Sequence, residues 1–99
     1  MKDLNDVANK KWDELVGFYE SNSIVDDTLY ALCQCYSRMM DAEQHMNEKG
    51  MLYKNPNGKI EASPMINISN TMQSQIKKHY STLDSHKISN NLDFDVAVG

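Results

Sequence analysis

Segment 50–64, GMLYKNPNGKIEASP, divides the chain into two stretches that each carry a helical repeat of apolar residues. Gly50 ends the first stretch, because a residue without a Cβ takes a positive φ after a helix at little cost. Asn57-Gly58 suits a tight turn between two short strands, Met51-Leu52-Tyr53-Lys54 and Lys59-Ile60-Glu61. Ser63-Pro64 restarts a helix: a capping hydroxyl precedes a residue that tolerates the first turn. The predicted order is helix, helix, hairpin or loop, helix. A lone two-stranded ribbon is marginal in water, so the hairpin must lean on a helix, pair with a neighbour or stay mobile.

The apolar spacing sets the helices. Leu4, Ala8, Trp12, Leu15 and Tyr19 recur at steps of three and four, which predicts a first helix from about Asp3 to Ser21. Asp3 is its expected cap, and Asp6 and Lys10 stand at a favourable i,i+4 spacing. Residues 22–25 form a short connection. Asp26 or Asp27 then caps a second helix, with Val25 and Tyr30 as a hydrophobic staple. Its stripe is Leu29, Leu32, Tyr36, Met39 or Met40, and Met46, with Cys33 beside it, and it ends at Lys49. At 1.5 Å per residue it would be about 35 Å long. That exceeds what a compact domain of this size needs, so part of it is expected to meet another copy of the chain. The third helix runs from Pro64 to about Leu83 on Met65, Ile68, Met72, Ile76, Tyr80 and Leu83, with Asn67, Ser69, Asn70, Gln73 and Ser74 as the polar face. Beyond it, Leu92-Asp93-Phe94-Asp95-Val96 alternates apolar and acidic residues, as a docking strand or a segment ordered by a partner would.

With 99 residues and 40% hydrophobic content, one all-α domain with a three-helix core is expected. It divides into a helical oligomerisation and recognition region, 1–87, and an acidic-apolar tail, 88–99. Seven Met residues suit either a soft helical core or an interface between copies, for which Tyr36, Met39, Met40, Met46 and Met72 are the candidates. Cys33 and Cys35 point in different directions on a helix, so neither a disulfide nor a zinc site is expected, and a reducing cytosol is the simplest setting. The sequence shows no secretory signal pattern and no apolar run long enough to span a bilayer.

No P-loop, nucleophile elbow, His-Glu-x-x-His or Cys-x-x-Cys occurs, and the acidic residues are scattered. No catalytic set, cofactor or metal is expected, and the chain reads as a recognition or assembly part rather than an enzyme. The net charge of −4 is not the coat of a stand-alone nucleic-acid binder, so any DNA contact must use local basic patches, multiplied by oligomerisation. Two such patches exist. Lys10 and Lys11 lie on the first helix, interleaved with Asp13 and Glu14. Lys77, Lys78 and His79 lie late on the third helix, followed by His86 and Lys87. Cations near a helix C-terminus are also favoured by the helix dipole alone. Arg38, the only arginine, faces Asp41 or Glu43, another copy, or a phosphate.

From about Ala8 to Lys87 the chain resembles the P27 family of phage terminase small subunits. The likeness runs through the Trp12 helix, Asp27-Thr28-Leu29-Tyr30-Ala31-Leu32-Cys33-Gln34-Cys35-Tyr36, Ala42-Glu43, the Gly50 stop, Asn57-Gly58 and Ser63-Pro64 with the helix that follows. The resemblance implies a ring-forming homo-oligomer that binds double-stranded viral DNA in the host cytoplasm. It would deliver that DNA to a large subunit holding the ATPase and nuclease during genome packaging. Where the family pattern has a Leu-Gly-Leu-x-Pro-x-Ser-Arg segment, this chain has Leu83-Asp84-Ser85-His86-Lys87, and no individual DNA-binding residue carries over. The alternative is a phage-encoded helical adaptor that binds a host or phage protein, favoured by the acidic charge, the Met content and the tail. A helix-turn-helix regulator ranks last, because the first inter-helix turn lacks the usual Gly.

Overall fold

The first helix is set by Asn5. In the computed structural model, which describes residues 4–88, the Asn5 side chain accepts a hydrogen bond from the Ala8 N–H at 2.8 Å, and α1 runs over Asp6–Leu15. Asp3, the expected cap, lies outside the described residues. The expected extension to Ser21 does not form. A β-branched valine and a glycine, both poor helix formers, follow Leu15, and a single 3-10 turn spans Val16–Phe18. Tyr19 is then extended and makes an antiparallel bridge to Lys87. Glu20 N–H donates to the His86 carbonyl at 2.8 Å, and Ile88 N–H donates to the Phe18 carbonyl at 2.9 Å. These bonds outcompete another turn of helix and tie the end of α1 to the end of the last helix.

The second helix, α2, spans Ser23–Lys49. Its cap is Asn22, whose side chain accepts from the Val25 N–H at 2.9 Å, not Asp26 or Asp27. Asp26 falls in the first turn, where its charge favours the N-terminal dipole. Val25 is therefore a buried residue inside the helix, and the expected Val25–Tyr30 staple is replaced by Val25 in the core. With 27 residues the helix is about 40 Å long. Gly50 ends it at φ +89°, as the sequence predicts.

Strands β1 (Leu52–Lys54) and β2 (Ile60–Ala62) pair antiparallel, with Leu52 opposite Ala62, Tyr53 opposite Glu61 and Lys54 opposite Ile60. The turn is built on Asn55 more than on Asn57. The Asn55 side-chain oxygen accepts from the N–H groups of Asn57 and Lys59, both at 2.9 Å, and its carbonyl accepts from Gly58 at 2.8 Å. Gly58, at φ +86°, closes the loop where a side chain would be strained. The third helix, α3, follows over Pro64–Asp84, with Ser63 Oγ accepting from the Met65 N–H at 3.1 Å.

The fold is an all-α core with a small hairpin at one end. Helices α2 and α3 run antiparallel. Cys35 Sγ donates to Gln75 Oε1 at 3.2 Å, and closer to the hairpin Ser69 Oγ donates to Glu43 Oε2 at 3.3 Å. Ser69, expected on the polar face, is buried against α2, whereas Ile68, expected in the stripe, is exposed. The face that meets α2 is therefore offset from the one read from the apolar residues. Tyr19, Val25, Leu29, Leu32 and Leu83 form the core, with Trp12, Leu15, Ile76 and Tyr80 packed around them. All of these lie towards the end opposite the hairpin, where α1 makes the third helical layer. The molecule is elongated, 63 × 34 × 19 Å.

Two side-chain expectations change. Lys11, not Lys10, makes the ion pair of α1, to Glu14 at 3.0 Å, and Asp6 does not pair with Lys10. Arg38 forms no ion pair with Asp41 or Glu43 and lies exposed beside a small pocket lined by Leu4, Asn5, Ala8, Gln34 and Ser37.

Substituting Leu32→Ala, at a site with no solvent exposure, is expected to cost about 2–5 kcal/mol, and Asn22→Ala about 1 kcal/mol, read from urea unfolding followed by circular dichroism. Burial pushes the Cys33 thiol up to about 11 from an ordinary 9.0, with the Lys11 charge opposing the shift. Between those values the unfolded chain has lost the proton and the folded chain has kept it. Stability is therefore expected to fall as pH rises from about 9 to about 11 and to level off above that. Denaturant midpoints across that window, with Cys33→Ala as the reference, check the sign.

Candidate nucleic-acid interface

The basic residues that the sequence singles out lie in the three-helix part of the molecule, whereas Lys49, Lys54 and Lys59 stand at the hairpin end. Lys77 and Lys78 are exposed on the later half of α3, and His79 beside them is half-buried. They follow Gln75, which bonds Cys35, so they stand level with the middle of α2. Lys87 is exposed just past α3, its backbone held by the bridge to Tyr19 and its ammonium 3.9 Å from Asp84 Oδ1. His86 turns the other way, with Nδ1 3.6 Å from Glu20 Oε1. Neither exposed pair gains much from such contacts, because solvent screens it. Lys77 and Lys78 have no acidic partner within ion-pair distance among the described residues.

Lys10 and Lys11 separate. Lys10 is exposed, whereas Lys11 lies half-buried between α1 and α2, its ammonium 4.3 Å from the centre of the Tyr36 ring. Burial opposes the Lys11 charge, but the hydrogen bond to Glu14 and the electrostatics of Tyr36 outweigh it and raise the pKa above the ordinary lysine value. A cation held over an aromatic face and bonded to a carboxylate is committed to the fold. Of the two, Lys10 is the one whose charge is presented outward.

The structure brings residues of the two expected sites into one groove. Val7, Lys10, Lys11, Glu14, Tyr36 and Met40 line a surface cleft of about 250 Å³ between α1 and α2. Val7 and Met40 are exposed there. Met39 and Met46 are half-buried along α2, and Met72 is covered within the chain between α2 and α3. Of the five Met and Tyr candidates for contact with another copy, Met40 is the most open and Met72 the least.

The residues that the apolar spacing did not single out are on the hairpin. Met51, Leu52, Tyr53 and Ile60 are all exposed. The signal was present in the sequence: a ribbon of two short strands carrying four large apolar side chains has no room to hide them on its own. No three His, Cys, Asp or Glu side chains form a metal-binding group among the described residues, and none of their helices is long and apolar enough to cross a membrane.

Neither the curated proteins nor the solved structures include a match to this chain. A family model does match: phage terminase, small subunit, over residues 8–84. The matched span begins within α1, takes in all of α2 and the hairpin, and ends at the last residue of α3, so it covers nearly all of the described helices and most of the sequence. This chain belongs to the phage terminase small subunit family.

Proposed function

We propose that this protein is a small terminase subunit of the P27 type, which recognises double-stranded viral DNA and delivers it to the large subunit. It would act as a ring homo-oligomer in the host cytoplasm, with region 1–87 for assembly and DNA recognition, and it has no catalytic role of its own. Its place in phage DNA packaging follows from the family, and the family match over residues 8–84 is the observation that carries the reading. The geometry supports the finer parts. The exposed Lys77 and Lys78 are free of acidic partners among the described residues and stand on a rigid helix anchored by Leu83 in the core. A chain with a net charge of −4 gains little from one such pair. A closed ring repeats the pair around its axis, and weak contacts then sum through effective concentration. Lys10 and Lys87 extend the same part of the molecule, while Lys11 and His79 are partly covered.

Fluorescence anisotropy with packaging-site DNA tests the reading. The parent protein is expected to bind at low salt, and affinity should fall steeply as salt rises, because each neutralised phosphate releases counterions. Lys77→Ala and Lys78→Ala together are expected to weaken binding across all sequences. The salt slope should shrink by roughly one for each phosphate that a copy no longer neutralises. Urea unfolding should be nearly unchanged, since both side chains are exposed. Absence of binding by the assembled protein at low salt, together with capture of a partner that is not an ATPase-nuclease, would instead support a helical adaptor.

A further inference from the structure

The hairpin carries a run of uncovered apolar side chains. All six strand residues are exposed, and Leu52 and Ile60 retain 62% and 64% of their accessible surface. The backbone is as open as the side chains. Ser63 N–H bonds the Met51 carbonyl at 2.7 Å and Asn55 N–H bonds the Lys59 carbonyl at 2.8 Å, which makes 51/63 and 55/59 hydrogen-bonded pairs. Antiparallel ladders alternate, so Leu52/Ala62 and Lys54/Ile60 are the non-bonded pairs. The N–H and C=O groups of Leu52 and Lys54 therefore point away from β2 and form an unpaired edge. Leu52, Lys54, Ile60 and Ala62 share one face of the ribbon, and Tyr53 and Glu61 share the other, where Tyr53 Oη donates to Glu61 Oε1 at 3.0 Å.

We propose that the open edge of β1 receives residues 92–96 of a second copy of this chain as a third strand. The segment Leu92-Asp93-Phe94-Asp95-Val96 alternates at the period of a strand that is apolar on one face and acidic on the other. Leu92, Phe94 and Val96 extend the face made by Leu52 and Ile60. The aspartates fall on the Tyr53/Glu61 face, where Lys59 beside the turn offsets Glu61; Lys54 stands on the other face and Lys49 follows Glu48, so the match rests on the apolar alternation. Addition at β1 also keeps both aspartates one strand away from Glu61.

Chain reach decides between the chain's own segment and that of another copy. Ile88 is fixed beside Phe18, at the far end of α3 from the hairpin. The 21 residues of α3 separate the two ends by about 31 Å. Leu92 is four residues past Ile88 and so lies within about 14 Å of it even in a fully extended chain. Even Val96, eight residues past Ile88, reaches only about 29 Å, so the whole strand cannot lie on its own hairpin, whereas a neighbour packed with its hairpin against this chain's Ile88 end can receive it. The inference rests on the reading that copies associate.

Mixed disulfide trapping tests it. A tagged Leu52→Cys chain and an untagged Phe94→Cys chain, mixed and oxidised gently, are expected to give a cross-linked pair. Its yield should be about tenfold above that of Leu52→Cys with Ser81→Cys, as held neighbours are at high effective concentration. In the otherwise unaltered full chain, Phe94→Pro is expected to lower the mass read by light scattering while helical circular dichroism stays the same. No excess of mixed disulfide, or an unchanged mass for Phe94→Pro, overturns the proposal. So does a Leu52→Cys/Phe94→Cys double variant that cross-links only within itself. DNA anisotropy separates this from the packaging reading. A protein that assembles through the segment but binds no DNA leaves the strand exchange standing, and a DNA-binding assembly indifferent to Phe94→Pro removes it alone.

Discussion

The structure depends on the burial of Leu29, Leu32 and Leu83 where α1, α2 and α3 come together. Those three side chains have no solvent exposure, and with Val25 and Tyr19 they are the place where the chain closes on itself. Each fully buried leucine contributes about 1.5–3 kcal/mol. The Tyr19–Lys87 bridge completes this core from the side, because it draws the segment after α1 across the end of α3. The positions of Lys77, Lys78 and Lys87 follow from it, since the helix that carries the first two is anchored by Leu83 and the third stands on the bridge itself.

Away from that core the molecule thins to two helices, and the contacts change character. Polar and sulfur groups join α2 to α3: Cys35 to Gln75, then Ser69 to Glu43, with Gln73 Nε2 donating to Ser69 Oγ at 3.2 Å. Among the described residues, Cys35, Ala42 and Met72 are the buried hydrophobic side chains of this part. A two-helix hairpin with so few buried side chains keeps most of each helix surface in solvent. It presents the hairpin residues outward because it has no third layer to cover them, while Met40 lies open at the edge of the α1–α2 cleft.

The three long helices, the Gly50 stop and the Ser63-Pro64 start were legible because each rests on a local cause that one stretch of sequence contains. The misplaced helix starts arose among competing caps. Asn22 and Asp26 are both capping residue types within one turn, and only the path of the preceding chain, pulled into the bridge with Lys87, decides for Asn22. The end of α1 was hidden for the same reason, because Tyr19 keeps a helical spacing to Leu15 yet is buried from an extended backbone. At the site, residue type and clustering identified the cations, but spacing does not say that Lys11 stacks on Tyr36 while Lys10 faces out. That division depends on where α2 lies.

The antiparallel pairing of α2 with α3 also orders the entropy of loop closure. The hairpin joins neighbours in sequence. The Glu43–Ser69 bond spans 26 residues and the Cys35–Gln75 bond spans 40, with Leu29 against Leu83 wider still. Each contact nests inside the next, so once the inner one has formed, the outer one closes a much shorter effective loop. The chain can zip from the Asn55 turn towards its core in small steps, and the strap between Tyr19 and Lys87 is the widest closure. The exposed hairpin is thus also the element whose closure costs the chain the least entropy.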